Sequence, residues 1–273
     1  MKTPFALGFG LFLAFAAGAP AQSAPLLCYE FNGGSKPEST DAAGSGGNLT
    51  EARMKGADGK PAPLWSSDAE GVTGQPGDYA LDLRGATGMG GDGAGGVAYV
   101  LHPLLEGLKS FTLTGWIKTA SLPGRGARLF DYAGPKAGFL LSFDAGKPGL
   151  QVNDKGLRSE RLEFAPAAGW TFFAVTYDST VETDNVVFYR GARGSGTLDS
   201  EVRTLAHPEP PAANPTGTLA IGNWMAGTRP LQGLLDKMAV YGSNQDGSGA
   251  LKADEIQALF ASVSAPAATA STP

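Results

Sequence analysis

The stretch of this sequence best suited to chemistry is a run of oxygen-bearing side chains near its C-terminal end. With Asn244 as position 1, Asp246, Ser248 and Glu255 supply oxygen atoms at positions 3, 5 and 12, and Gly249 stands at position 6. This spacing is typical of a calcium loop, in which alternate side chains wrap a hard cation and glycine permits a sharp turn. The alternative is a polar turn before a helix, whose N-terminus favours acidic side chains.

Catalytic pairs are not evident. Hydrolysis of a glycosidic bond needs two carboxylates that point into one cleft. Glu182 and Asp184 lie in a predicted turn, and Glu160 and Glu163 are three residues apart, so an extended strand would direct them to opposite faces. We therefore predict no catalytic residues, and a glycoside hydrolase is the least favoured alternative.

Aromatic side chains in loops are the best candidates for ligand contact. Trp224 follows a β-type run and shares its loop with Arg229, while Trp65 lies in an early proline-rich segment. Flat aromatic faces stack on sugar rings, and neighbouring polar groups bond the hydroxyls. We predict Trp224, Arg229 and Trp65 as ligand-binding residues. The alternative for Trp224 is a loop residue that folds back onto the core.

Short apolar runs separated by turn residues must position these groups. Their alternation and spacing predict an all-β protein, an antiparallel β-sandwich of two sheets with one short helix near Ala253–Ser262. The predicted strands are Leu26–Asn32, Asp78–Arg84, Val97–Leu101, Ser110–Thr119, Arg128–Ala133, Gly138–Asp144, Leu150–Asn153, Trp170–Asp178, Val186–Arg190, Thr218–Gly222 and Leu234–Tyr241. The run Trp170–Asp178 is apolar on both faces, which predicts a central strand covered on each side.

The last 45 residues before the C-terminal tail carry a family resemblance. The matching residues are Ile221–Asn223, Gly233, Leu235–Asp236, Met238, Val240–Tyr241, Leu251 and Glu255–Ile256. With these residues the chain resembles the laminin-G-like jelly-roll family of the concanavalin A-like lectin/glucanase superfamily. The resemblance implies a jelly-roll sandwich. It also implies that Asp41, in an opening loop, and Asp236, in a late strand, share a structural calcium ion.

The N-terminal sequence and the composition indicate the location of the protein and the classes of partner that it can bind. Lys2, the apolar run Phe5–Ala17 and the Ala-x-Ala pattern at Ala19–Ala21 predict a signal peptide at residues 1–21. A single cysteine, Cys28, excludes an internal disulfide. The chain has 26 acidic and 21 basic residues without basic clusters, which argues against nucleic acid or an anionic membrane as partner.

Together these patterns predict one jelly-roll domain at residues 26–262 and a disordered tail at residues 263–273, rich in Ala, Ser, Thr and Pro. We expect a secreted, extracellular or periplasmic, non-catalytic domain that binds carbohydrate or another extracellular component. Calcium is the only cofactor predicted, and no insertion into a membrane is expected once the signal peptide is cleaved. The alternative function is a structural or protein-interaction module without affinity for sugars.

Overall fold

The computed structural model describes residues 23–32, 44, 51–52, 65–86, 98–101, 103–165, 169–224 and 226–264. These residues contain fourteen β-strands, one α-helix, α1 (Ala253–Ser264), and short 3-10 helices at Pro103–Leu105 and Gly247–Gly249. In chain order the strands are β1 (Leu27–Tyr29), β2 (Glu51–Ala52), β3 (Leu81–Asp82), β4 (Ala98–Leu101), β5 (Ser110–Lys118), β6 (Arg128–Gly134), β7 (Ala137–Asp144), β8 (Lys147–Val152), β9 (Lys155–Arg158), β10 (Thr171–Asp178), β11 (Val186–Ala192), β12 (Asp199–Arg203), β13 (Thr218–Ile221) and β14 (Leu234–Ser243).

The strands form two antiparallel sheets. The first sheet has the order β1-β14-β5-β10-β11-β12, with β3 also paired to β14, and the second has the order β2-β4-β13-β6-β7-β8-β9. This confirms the predicted two-sheet sandwich with a C-terminal helix. The helix extends two residues into the predicted tail, and the predicted signal peptide lies outside the described residues. In those described ranges, no helix has the length and apolarity needed to cross a bilayer.

The main core lies between the two sheets. In β10, Phe173, Val175 and Tyr177 point into it, and on the facing sheet Phe139 and Leu141 of β7 do the same. Strand side chains alternate between faces, so each strand contributes every second residue to this layer. All five of these residues are almost completely buried, which makes this layer the main source of hydrophobic stabilisation.

A second apolar layer covers the outer face of the first sheet. Trp116 and Phe172 point outward from β5 and β10, and Phe260 of α1 packs on both, with ring centroids 5.8 and 5.7 Å away. Val72 and Ala80 of the segment 65–86 belong to the same cluster. Covered on both sides, β10 is buried along nearly its whole length, as its sequence predicted.

A β-bulge in β14 fits the strand around one buried methionine. The register of β14 against β5 shifts between Asp236 and Ala239, and Lys237 adopts a left-handed φ of 46°. The bulge accommodates Met238 opposite Gly115 of β5, where an added Cβ would lie 2.3 Å from the Met238 sulfur. Glycine is required at position 115 because any side chain would displace Met238 from the core.

Three strands were not predicted from the sequence, and each lies at an edge of a sheet. These are β2, β9 and β12. The sequences of β9, Lys-Gly-Leu-Arg, and β12, Asp-Ser-Glu-Val-Arg, lack the apolar alternation of a half-buried strand. Edge strands tolerate this composition because one side of the backbone and much of the side-chain surface face solvent.

Candidate functional site

A trough lies on the outer face of the second sheet, where neither α1 nor the segment 65–86 packs. Antiparallel pairing aligns the outward side chains of β6, β7, β8 and β9 into two rows across the sheet. One row runs Arg128, Ser142, Gly149, Arg158, and the adjacent row runs Asp131, Leu140, Gln151, Gly156. The resulting cavity has a volume of about 300 Å³.

Two ion pairs fix the cationic side chains of the trough. The Arg128 guanidinium donates to the buried Asp131 carboxylate, with 2.9 Å between Nε and Oδ2, and Arg158 pairs with Asp144. Burial raises the pKa of Asp131, and the positive charge of Arg128 opposes that rise. Each arginine keeps further N–H groups for a ligand because a guanidinium carries five donors.

Two glycines leave room on the floor of the trough. A Cβ added at Gly149 would lie 3.4 Å from the Leu157 carbonyl oxygen, and one added at Gly156 would lie 3.7 Å from Cβ of Gln151. Both distances are ordinary van der Waals contacts, so the fold does not require glycine at either position. Larger side chains there would fill the space between Arg128, Gln151 and Arg158.

A buried carboxylate holds the outer edge of the trough. Glu201 of β12 accepts hydrogen bonds from the Ser159 hydroxyl (2.6 Å) and from the backbone N–H groups of residues 160–162 (2.8 to 3.3 Å). Burial alone would raise its pKa, but these bonds lower the pKa of Glu201 to about 2. Arg203 adds a bond to the Arg158 carbonyl oxygen (2.9 Å), so β12 fixes the position of β9.

The loop that carries Trp224 borders one end of this trough. The buried Asn223 side chain accepts hydrogen bonds from the N–H groups of Trp224 (2.7 Å) and Arg229 (2.8 Å). The Arg229 carbonyl oxygen in turn accepts from the N–H of Arg128 (3.1 Å), the first residue of β6. Trp224 is 42% exposed. The predicted residues Trp224 and Arg229 therefore lie in one loop beside Arg128.

The structure places Trp65 away from this surface. Its side chain is only 8% exposed, packs at 5.9 Å from the ring of Phe31, and its backbone bridges to Leu81. The indole belongs to the main core and offers little surface to a ligand, so the predicted ligand-binding role of Trp65 is corrected to a packing role. The proline-rich segment that precedes it gave no sign that the chain turns inward at this residue.

The carboxylates of the trough do not form a glycosidase pair. Asp131 lies opposite Leu140 of β7, and Asp144 is four residues further along that strand, about 13 Å away at the backbone. Retaining and inverting glycosidases hold their carboxyl groups about 5 to 9.5 Å apart. Each aspartate is also bound to an arginine, which holds it in place as an ion-pair partner.

The predicted calcium loop contains a compact polar turn. The Asp246 carboxylate accepts hydrogen bonds from the N–H and hydroxyl of Ser248 (3.0 and 2.6 Å) and from the hydroxyl of Ser243 (2.9 Å), and these bonds lower its pKa. Glu255 accepts from the N–H of Lys252 (2.9 Å) at the start of α1 and from the hydroxyl of Ser23 (2.9 Å). Asn244 is exposed. Calcium binding by Asn244, Asp246, Ser248 and Glu255 stays a prediction.

Asp236 is buried at the β14 bulge. Its carboxylate accepts hydrogen bonds from the N–H groups of Val72 and Lys237, both at 2.7 Å. Burial raises the pKa of Asp236 to about 8, and the nearby Asp78 carboxylate raises it further against the effect of these bonds. Its predicted calcium partner, Asp41, lies outside the described residues. Among the described residues, no three His, Cys, Asp or Glu side chains cluster as metal ligands would.

Sequence reasoning missed the residues of the trough. Arg128, Ser142 and Asp144 stand in strands that were predicted, and Gln151 does as well. The available signal was partial: Ser142 and Asp144 are polar at alternate positions of β7, and Lys147 and Gln151 share one face of β8. In β6 the polar residues Arg128 and Asp131 are three residues apart, because an irregularity in the pairing shifts the register there. That signal marks an exposed face but does not show which face of the sandwich a helix covers.

Comparison with known proteins places this geometry in a family. The model of the family Laminin_G_3, described as Concanavalin A-like lectin/glucanases superfamily, matches residues 92–257, more than half of the chain. A search of curated proteins gives no significant match.

Solved structures share the fold at low sequence identity. Domain 4 of AbnA, a GH43 extracellular arabinanase from Geobacillus stearothermophilus solved with arabinotriose, matches with a TM-score of 0.56 and 13% identity over 88% of this chain and 99% of that domain. The binding domain of botulinum neurotoxin DC matches in a complex with SialylT (TM-score 0.52, 14% identity) and in one with rat synaptotagmin II (0.53, 13%). Both matches cover 88% of this chain, which spans about half (52%) of each neurotoxin domain.

Proposed function

Because this chain belongs to the Laminin_G_3 family of the concanavalin A-like lectin/glucanases superfamily, we propose that it is a secreted, non-catalytic domain that binds carbohydrate. The ligand lies in the trough on the second sheet, with the Trp224 loop at one end. The observation that carries this proposal is the open polar face across β6 to β9, with two anchored arginines and two glycines.

The chemistry of the trough suits an oligosaccharide. Neighbouring sugar hydroxyls present paired hydrogen-bond donors and acceptors. A planar guanidinium that is oriented by a carboxylate can donate to them with little further loss of side-chain conformational entropy. Gln151 and Ser142 add a side-chain amide and a hydroxyl, while Leu140 and the backbone at Gly149 offer apolar contact to ring C–H groups.

The comparisons support a sugar ligand without identifying it. Domain 4 of the arabinanase was solved with arabinotriose, which makes arabino-oligosaccharides the first class to test. At 13% identity, that similarity concerns the fold and does not transfer a binding residue. A secreted location is supported by the signal-like start of the sequence, Lys2 followed by the apolar run Phe5–Ala17.

The first experiment is a glycan array that includes arabinotriose, followed by titration calorimetry on any ligand found. The variant Arg158→Ala removes a charged hydrogen-bond donor from the trough and should weaken ligand binding at least tenfold. Gly149→Val, which fills the floor, should weaken it by a similar factor. The control is Arg193→Ala, an exposed arginine that follows β11 of the first sheet and bonds the Thr73 carbonyl oxygen. The Arg193→Ala variant should bind the ligand with the same affinity as the wild-type protein.

The variant Trp224→Ala tests how much the loop contributes to ligand binding relative to the trough. Because the indole is exposed, its loss should leave the melting temperature unchanged, and loss of sugar stacking should weaken binding about tenfold. If Trp224→Ala abolishes binding and the trough variants do not, the ligand lies on the loop. If the protein binds no glycan on the array, the protein-interaction alternative is favoured. Hydrolysis of β-glucans or galactans would favour a hydrolase.

A further inference from the structure

A second cavity lies on the opposite side of the sandwich, between α1 and the outer face of the first sheet. It has a volume of about 310 Å³ and is partly enclosed. Trp116 and Phe172 form one wall, Tyr241 stands at the other, and Leu259 and Val263 of α1 form the roof. This site is separate from the trough and does not depend on the proposed function.

The cavity exists because a row of small residues runs beneath the helix. Pairing across β1, β14, β5 and β10 aligns Cys28, Ala239, Thr114 and Ala174 on this face. The neighbouring rows contribute Trp116 and Phe172 on one side and Tyr241 on the other, and these side chains are longer than those of the row. The short side chains of the row therefore leave a gap beneath Leu259 and Val263. The space that remains is a consequence of side-chain size along one register row.

Two hydroxyl groups in the wall are without partners. Tyr241 is 95% buried and Thr114 is 96% buried, yet neither hydroxyl makes a hydrogen bond within the described part of the chain. Burial raises the pKa of Tyr241 to about 12, so its hydroxyl stays protonated and remains a donor at neutral pH. Either hydroxyl can therefore donate a hydrogen bond to a molecule that occupies the adjoining space.

We infer that this cavity binds a compact, neutral, largely apolar molecule that accepts a hydrogen bond from Tyr241 or Thr114. A cavity of about 150 Å³ holds benzene, so 310 Å³ suits a ligand of about ten to twelve non-hydrogen atoms. The ligand should be uncharged because Lys237 and Glu30 at the rim neutralise each other, with 3.3 Å between Nζ and Oε1. A bicyclic aromatic with one carbonyl group matches the walls and the two donors.

The test uses coumarin, a neutral bicyclic compound with a carbonyl acceptor, in an NMR titration of the full protein. We expect saturable binding with a Kd on the order of 1 mM or tighter, with the largest amide shifts at Thr114, Tyr241 and Leu259. Ala239→Leu fills the cavity and should weaken binding at least tenfold. Tyr241→Phe keeps the shape but removes the donor, and should weaken coumarin about fivefold.

The matched control ligand is naphthalene, which has the same bicyclic shape and no acceptor. Its affinity should be equal for the wild-type protein and for Tyr241→Phe. Absence of saturable coumarin binding would overturn the inference, and so would amide shifts that map to the trough. If Ala239→Leu fails to fold, Tyr241→Phe and Thr114→Val decide: coumarin affinity equal to that of the wild type in both variants would refute the site.

Discussion

The pH dependence of stability at Glu201 is the most direct test of how the trough is held. The pKa of this carboxyl falls from its ordinary value of 4.5 to about 2 in the folded protein. Each tenfold change in proton affinity is equivalent to about 1.4 kcal/mol. The lowered pKa of Glu201 therefore contributes about 3 kcal/mol to the free energy of unfolding at neutral pH. Solvent screening reduces this free energy only slightly, because the side chain of Glu201 is only 4% exposed.

The sign follows from the direction of the shift. A lowered pKa gives stability that is complete above pH 4.5 and is lost as the pH falls towards 2. The variant Glu201→Gln should therefore be about 3 kcal/mol less stable than wild type at pH 6, and less than half of that difference should remain at pH 3. Urea unfolding followed by tryptophan fluorescence measures both values. The control Glu209→Gln removes an exposed pairing with Lys155 and should change stability by under about 1 kcal/mol.

Two results would refute this reasoning. A difference between wild type and Glu201→Gln that is equal at pH 6 and pH 3 would show that the side chain acts through packing and not through charge. A difference below about 1 kcal/mol at pH 6 would show that the hydrogen bonds from residues 159–162 are replaced by water at little cost.

Two further predictions concern packing and calcium. Gly115→Ala should lower the free energy of unfolding by about 2 kcal/mol, since its Cβ would overlap Met238, whereas Gly124→Ala, with nothing within 4 Å, should be neutral in urea unfolding. If either predicted calcium site is real, saturating calcium should raise the melting temperature by roughly 5 °C over that in EDTA. Loss of the rise in Asp236→Asn or in Asp246→Ala identifies the site; equal melting temperatures in calcium and EDTA contradict both.

The strands of the core could be predicted because their chemistry is local. The run Trp170–Asp178 and its partner Val186–Arg190 are apolar over their length, and the structure pairs them as β10 and β11. In β9 and β12 the alternating positions are polar, and their pairing is decided by the neighbouring strand and not by their own composition. An edge strand of this kind has no signature that distinguishes it from a loop.

The candidate site could be predicted only in part, because it depends on contacts between distant residues. Trp224 and Arg229 were identified as neighbours in one loop, but their position beside Arg128 follows from a backbone bond across 101 residues of sequence. Asp236 is bonded by the N–H of Val72, 164 residues away. Which face of the sandwich stays open is settled by where α1 and the segment 65–86 pack, and that is a property of the whole fold.

The bridge between β12 and β9 has a consequence for behaviour at high concentration. Both strands end their sheets, and an exposed strand edge is a template on which a second molecule can add a strand and begin to aggregate. Here Lys155 and Arg158 stand in β9, while Asp199, Glu201 and Arg203 stand in β12. Arg203 bonds the Arg158 carbonyl oxygen of β9, and Glu201 accepts from the N–H of Glu160 in the turn that follows β9. We therefore expect the same charged residues that make these strands hard to recognise in the sequence to disfavour edge-to-edge association.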